Sequence, residues 1–151
     1  EDAWALMKIE SPEYQGHHQA PVDEDYHAPL HDMTRIYPED LYSNMGVHYY
    51  GDGSHDSREM DSHSHRIIMS VRGDPEANVI VYRAVPYEVG GEINPGDWVS
   101  TSRIYAVNHG RRFGHGEHGP GGFRLLKREV KAKDLFSEGN SLHEYGWRGD
   151  T

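Results

Sequence analysis

VIVYRAVP, residues 79–86, decides how the rest of the chain is read. β-Branched and aromatic residues follow one another there with little alternation, which predicts a buried strand. Its one charged residue, Arg83, stands near the end of the run. Upstream the period is helical. Residues 57–72 carry Met60, Ile67, Ile68 and Val71 on a partial apolar face. Asp56 and Glu59 have capping-box spacing, and Gly73 followed by Asp74-Pro75 ends the pattern. YPEDLYSNMG (37–46) predicts a short helix, with Pro38 at its first position and Glu39 and Asp40 at the positive end of its dipole.

Downstream of VIVYRAVP the chain turns to strands. INPGDWVSTS (93–102) holds a turn at 94–96 and then a short strand. IYAVNHG (104–110) predicts one or two helical turns ending at Gly110. RRFGHGEHGPGG (111–122) reads as a glycine- and histidine-rich loop. FRLLKREVKAKDL (123–135) alternates, with Leu126, Val130 and Ala132 facing inward and Lys127, Glu129 and Lys131 facing water. A last strand is expected at 142–147, after a turn at 138–140. Helical elements followed by strands argue for an α+β fold. Residues 1–25 show no sustained period and read as an irregular segment, leaving 26–151 as the folded domain.

Composition narrows the function classes. The chain has 151 residues, enough for one domain, and 25 acidic against 15 basic residues give a net charge of −10. That balance gives no general attraction to phosphate backbones or anionic membranes. There is no cysteine, so neither a disulfide framework nor thiolate chemistry is available. No apolar run approaches a membrane span. The first residue is Glu1, as in a piece of a longer protein. The expected state is a monomer.

Three polar groups in apolar settings remain: Arg83 in VIVYRAVP, Ser100-Thr101-Ser102 in GDWVSTSRIYA (96–106), and Glu144 in EGNSLHEYGW (138–147). Each has an ordinary explanation alone. Arg83 can be a strand arginine paired with an acid, the triplet can cap a helix over 103–109, and Glu144 can be a surface carboxylate. Their order along the chain is more informative. It resembles the arginine, serine-threonine-serine, glutamate signature of one class of mono-ADP-ribosyltransferases. The segments YRAVP, GDWVSTSRIYAVNHG and KREVKAKDLFSEGNSLHEYGW are similar to domains of that family found in phage and other mobile-element multidomain proteins. HAPLHDMTRIYPEDLYS, upstream, resembles them too, so the likeness covers roughly residues 26–150.

The resemblance implies split antiparallel β-sheets with flanking helices and NAD in the cleft between the sheets. It implies transfer of ADP-ribose from NAD to a macromolecular acceptor with release of nicotinamide. The residue types suit that chemistry. Arginine grips phosphate oxygens with a planar fork. The transition state resembles an oxocarbenium ion, which a carboxylate near the ribose stabilises. By the resemblance Arg83 would contact the NAD phosphates or the nicotinamide-side ribose, and the backbone of Ala84 would bind the nicotinamide amide. Ser100 would orient the catalytic Glu144, with Thr101 and Ser102 supporting the pocket wall. Tyr105 would pack on nicotinamide or stiffen the neighbouring loop.

The acceptor is less defined. Many arginine-modifying members carry Glu or Gln two residues before the catalytic glutamate, and here that residue is Leu142. The expected acceptor is therefore a group other than arginine, unless Glu138, Asn140 or His143 takes over the task. A host protein is favoured over nucleic acid because the chain is acidic, and a phage origin would place the action in host cytoplasm. NAD hydrolysis and a non-catalytic module of a larger phage protein are the alternatives. The 12 histidines suggest metal, but His63 and His65 lie two apart on a helix and face differently, while His109, His115 and His118 flank a loop. No metal site is expected.

Overall fold

The computed structural model describes residues 27–87, 91–113 and 122–149. The irregular segment expected at 1–25 lies outside them, as does most of the glycine-histidine loop, including His115 and His118. The described strands are β1 (Ala28–Pro29), β2 (Asn78–Pro86), β3 (Trp98–Ser100), β4 (Phe123–Lys131), β5 (Leu135–Ser137) and β6 (Glu144–Trp147). The helices are α1 (Gly46–Tyr50), α2 (Arg58–Ser70) and α3 (Arg103–Phe113), with short 3-10 turns between them. The strands form one six-stranded sheet in the order β1-β5-β6-β3-β2-β4, and every pairing is antiparallel. The fold is α+β.

The sheet is joined unevenly. β2 and β4 pair over their full nine-residue lengths, from Asn78 opposite Lys131 to Pro86 opposite Phe123. β3 is short and meets β2 at one registered pair, Tyr82 opposite Ser100. The β4-β2 hairpin and the β3-β6-β5-β1 group are thus two halves held at one point, where two separate sheets were expected. The Arg83 guanidinium closes the joint, donating from Nη1 to the Trp98 carbonyl at 2.7 Å. Beyond Ser100 the chain leaves for α3, and the edge of β2 below Tyr82 opens a cleft of about 270 Å³ against His63, Ile67 and Ser70 of α2.

Alternation along the strands assigns the two faces. Val79, Val81, Val99, Val130, Tyr145 and Trp147 pack in one cluster with Ile68 and Val71 at the end of α2 and Leu30, Met33 and Leu41 from the N-terminal turns. Tyr82, Ser100 and Glu144 share the other face through their registered pairs. Helix α3 covers that face. Its Gly110 sits against the Phe123 ring, where a Cβ would overlap the aromatic carbons. Gly110 was expected to end the helix; instead α3 runs through it to Phe113, because the glycine is needed for close approach.

Local signals explain the element ends. Ser54 caps the turn leading into α2, its hydroxyl accepting from Ser57 N–H at 3.2 Å, so the cap is Ser54 and not Asp56. The segment 37–46 forms a 3-10 turn over Glu39–Tyr42 with Pro38 just before it, and the regular helix begins only at Gly46. Ser102 caps α3, accepting from Tyr105 N–H at 3.1 Å. Among the described residues, no helix is long and apolar enough to cross a membrane.

Candidate active site

Glu144 opens β6 directly opposite Ser100 of β3. It is half-buried and lines a second cleft of about 270 Å³, together with Asp52, Met60, Tyr105, Asn108, Arg112 and Asn140 among others. The Tyr105 hydroxyl donates to Glu144 Oε2. Tyr105 is held in turn by stacking. Its ring lies 5.0 Å from His143 at 22° and 6.1 Å from His109 at 26°. A carboxylate in this setting is oriented from α3 while still open to the cleft.

His143 anchors the floor of the site. It is fully buried, and both ring nitrogens are engaged. Nε2 lies 3.0 Å from Asp61 Oδ1, and Nδ1 lies 2.7 Å from Ser64 Oγ. Burial lowers the imidazole pKa, opposed by the charges of Asp52 and Asp61. The ring is accordingly neutral near pH 7. A carboxylate can only accept, so Nε2–H donates to Asp61 and the Ser64 hydroxyl donates to Nδ1. Asp61 is satisfied on its other oxygen as well, accepting from Gly53 N–H at 3.1 Å and Ser57 Oγ at 3.3 Å.

The other residues expected at the site divide. Ser100, Tyr105 and Glu144 come together. Ser102 serves as the α3 cap, and Ser100 Oγ accepts from Ser102 N–H at 2.9 Å. The triplet thus starts the helix and sets Ser100 opposite Glu144, while none of its three residues is among the described residues lining the Glu144 cleft. Thr101 is buried, and its Oγ1 has no hydrogen-bond partner among the described residues. It faces the cleft along β2. Ala84 is buried at mid-strand opposite Leu125. Arg83 falls on the opposite face from Ser100 and Glu144, because its neighbour Tyr82 is the one paired with Ser100. It is 4% exposed and has Asp97 at 3.8 Å. Burial lowers its pKa and Asp97 opposes the shift. Neither Arg83 nor Ala84 is among the described residues lining the Glu144 cleft.

Of the three residues considered for acceptor handling, Asn140 lines the cleft. His143 is committed to Asp61 and Ser64, and Glu138 is exposed outside the lining. Leu142 is fully buried in the core. Asp52, Asp61, Ser64 and Arg112 were not among the residues singled out from the sequence. Asp61 and Ser64 carry the one usable signal: a carboxylate and a hydroxyl spaced three apart on the inward stripe of α2 with Met60, His65 and Ile68. His65 turns inward to donate from Nε2 to the Leu41 carbonyl at 2.7 Å, while His63 is exposed. Asp52, Asp61 and His143 place ligand-capable atoms within 4.8 Å of one another, a grouping the histidine spacing did not suggest. The hydrogen bonds above already engage Asp61 and His143.

Comparison with family models, curated proteins and solved structures gives no match. The functional reading therefore rests on the residues and their geometry.

Proposed function

We propose that this chain is a NAD-dependent mono-ADP-ribosyltransferase with an ADP-ribosyltransferase-like fold, its two half-sheets corresponding to the split sheets of that family. The observation that carries the reading is the pairing of Ser100 with Glu144 on adjacent strands, with the Tyr105 hydroxyl on Glu144 at the wall of an open cleft. Glu144 would lie beside the nicotinamide-side ribose. Its carboxylate would stabilise positive charge as the glycosidic bond breaks and accept hydrogen bonds from ribose hydroxyls. Arg112, on the cleft wall at the end of α3, would take the pyrophosphate. Arg83 would brace the β2–β3 joint that sets Ser100.

A dinucleotide has two halves, and among the described residues two clefts lie along α2. Met60 lines one and Ile67 the other. Seven helical residues span about 10 Å at about 1.5 Å each, a reach suited to an extended dinucleotide. Each cleft alone is near the lower end of the small-ligand range of about 300–1,000 Å³.

Hydrolysis of NAD to free ADP-ribose is the second reading. The burial of Leu142 favours it, because no acceptor-orienting group stands at that position. One experiment separates the readings: nicotinamide release from NAD by wild type and Glu144→Gln, with and without a cell lysate. Lysate-dependent release that the variant loses is the expected result, with the labelled acceptor then identified as protein or nucleic acid. Lysate-independent release selects the hydrolase. A Glu144→Gln protein with full activity removes Glu144 from catalysis.

A further inference from the structure

The cleft contains a second carboxylate, and the chain goes to some length to place it. Asp52 lies in the Gly51-Asp52-Gly53 loop between α1 and α2. Both flanking glycines are held against the same buried group. Gly53, at φ 83, donates its N–H to Asp61 Oδ2 at 3.1 Å. Gly51 approaches that carboxylate so closely that a Cβ would lie 2.6 Å from Oδ2. Asp52 is thereby presented outward, its side chain 45% exposed, and it lines the cleft with Glu144. It stands 3.7 Å from His143 Nε2, which is itself bonded to Asp61. One buried aspartate thus fixes the Asp52 loop on one side and the residue preceding Glu144 on the other.

Their surroundings differ. Glu144 is oriented by a phenol and half-buried; Asp52 is the more open and stands with Asn140 and Ser141 on the lining. Substitution at an anomeric carbon makes two demands on carboxylates: one stabilises the cation, and the other takes the proton of the incoming nucleophile. We propose that Asp52 is the acceptor-side base of this cleft and defines its acceptor as a neutral nucleophile with a transferable proton, a hydroxyl, an amide or water. The inference rests on the transferase or hydrolase reading of Glu144. In the step, the bond from the ribose anomeric carbon to the nicotinamide nitrogen breaks, and neutral nicotinamide leaves with the electron pair. The acceptor oxygen or nitrogen bonds to that carbon, and its proton passes to the Asp52 carboxylate.

The test uses the full chain with NAD and azide as probes. Azide is an anionic nucleophile that brings no proton, so it has no need of a base. Asp52→Asn should lower azide-free nicotinamide release by about 100-fold, within the usual range for loss of a general base, with NAD affinity unchanged. Azide should restore release in Asp52→Asn and form ADP-ribosyl azide. It should fail to rescue Glu144→Gln, which lacks the cation-stabilising charge. Asp52→Glu should retain part of the azide-free activity. Full activity in Asp52→Asn, no azide rescue there, or a parallel loss of NAD affinity overturns the assignment of Asp52. Absence of nicotinamide release from wild type, with lysate and with azide, overturns the underlying reading instead, and the role of Asp52 falls with it.

Discussion

The Tyr105 hydroxyl bears directly on the candidate catalytic group. Tyr105 donates to Glu144, and its ring stacks with those of His109 and His143. Tyr105→Phe keeps the ring stack and removes only the donor. A hydrogen bond to a charged group contributes about 1.5–3 kcal/mol, which corresponds to a fall of about 10- to 100-fold in rate. Steady-state nicotinamide release should show that fall in kcat with an unchanged melting temperature. Unchanged turnover would mean that Glu144 is oriented by other groups. At this scale the sequence was partly legible. Ser100 and Glu144 stood out because each is a polar residue at a strand end, and the registered pairing brings them together. The supporting network did not stand out. Ser64 and Asp61 reach His143 across 79 and 82 residues of chain, and contacts so distant leave no local pattern. Arg83 shows the opposite limit. Its place in the chain was plain, but which face it occupies depends on a register shift of one residue against β3.

At the scale of elements, helices and strands followed from local patterns, and the errors came from tertiary contacts. α2 ends near where its apolar face and Gly73 predict, and β2 and β6 fall in the expected runs, but the alternating run 123–135 divides at the 3-10 turn Ala132–Asp134 into β4 and β5. α3 exceeds the prediction because Gly110 reads locally as a stop, while in the fold it is the point of contact between α3 and Phe123. This reverses an ordinary expectation. In an open helix Gly→Ala stabilises by about 1 kcal/mol. Gly110→Ala should instead destabilise, because overpacking costs about 1–3 kcal/mol when the Cβ meets the Phe123 ring. Thermal unfolding of the variant should show a lower midpoint. Restoration by a second change, Phe123→Leu, would attribute the loss to that contact, and a raised midpoint in Gly110→Ala alone would show that α3 stands off the sheet. The β2–β3 joint was equally illegible. VIVYRAVP predicts a strand but carries no information on how much of it a three-residue partner will cover.

At the scale of the whole molecule, one imidazole ties together the parts that carry the site. His143 is bonded to α2 through Asp61 and Ser64, stacks on Tyr105 of α3, and immediately precedes β6. Burial lowers its pKa, with Asp52 and Asp61 recovering only part of the shift. The unfolded chain has the ordinary histidine value of about 6.5. Between the lowered native value and the ordinary one, the unfolded state binds more protons than the native state, so stability rises with pH. The contribution is complete above the unfolded value and is lost as pH falls through the window to the native value. With 12 histidines in the chain, a wild-type slope alone does not identify the group. The difference from His143→Gln does, because glutamine can donate to Asp61 but does not titrate. Urea unfolding followed from neutral pH down through the window should give a steeper loss for wild type than for the variant; equal slopes would remove His143 from the linkage. Activity should follow the same group. Protonation reverses the Ser64 contact, Nδ1–H then donating to the hydroxyl, and places a cation against the Tyr105 ring, changing the surroundings of the phenol that donates to Glu144. Nicotinamide release should therefore decline in that window while the protein is still folded, and a decline seen only on unfolding would limit His143 to a structural role.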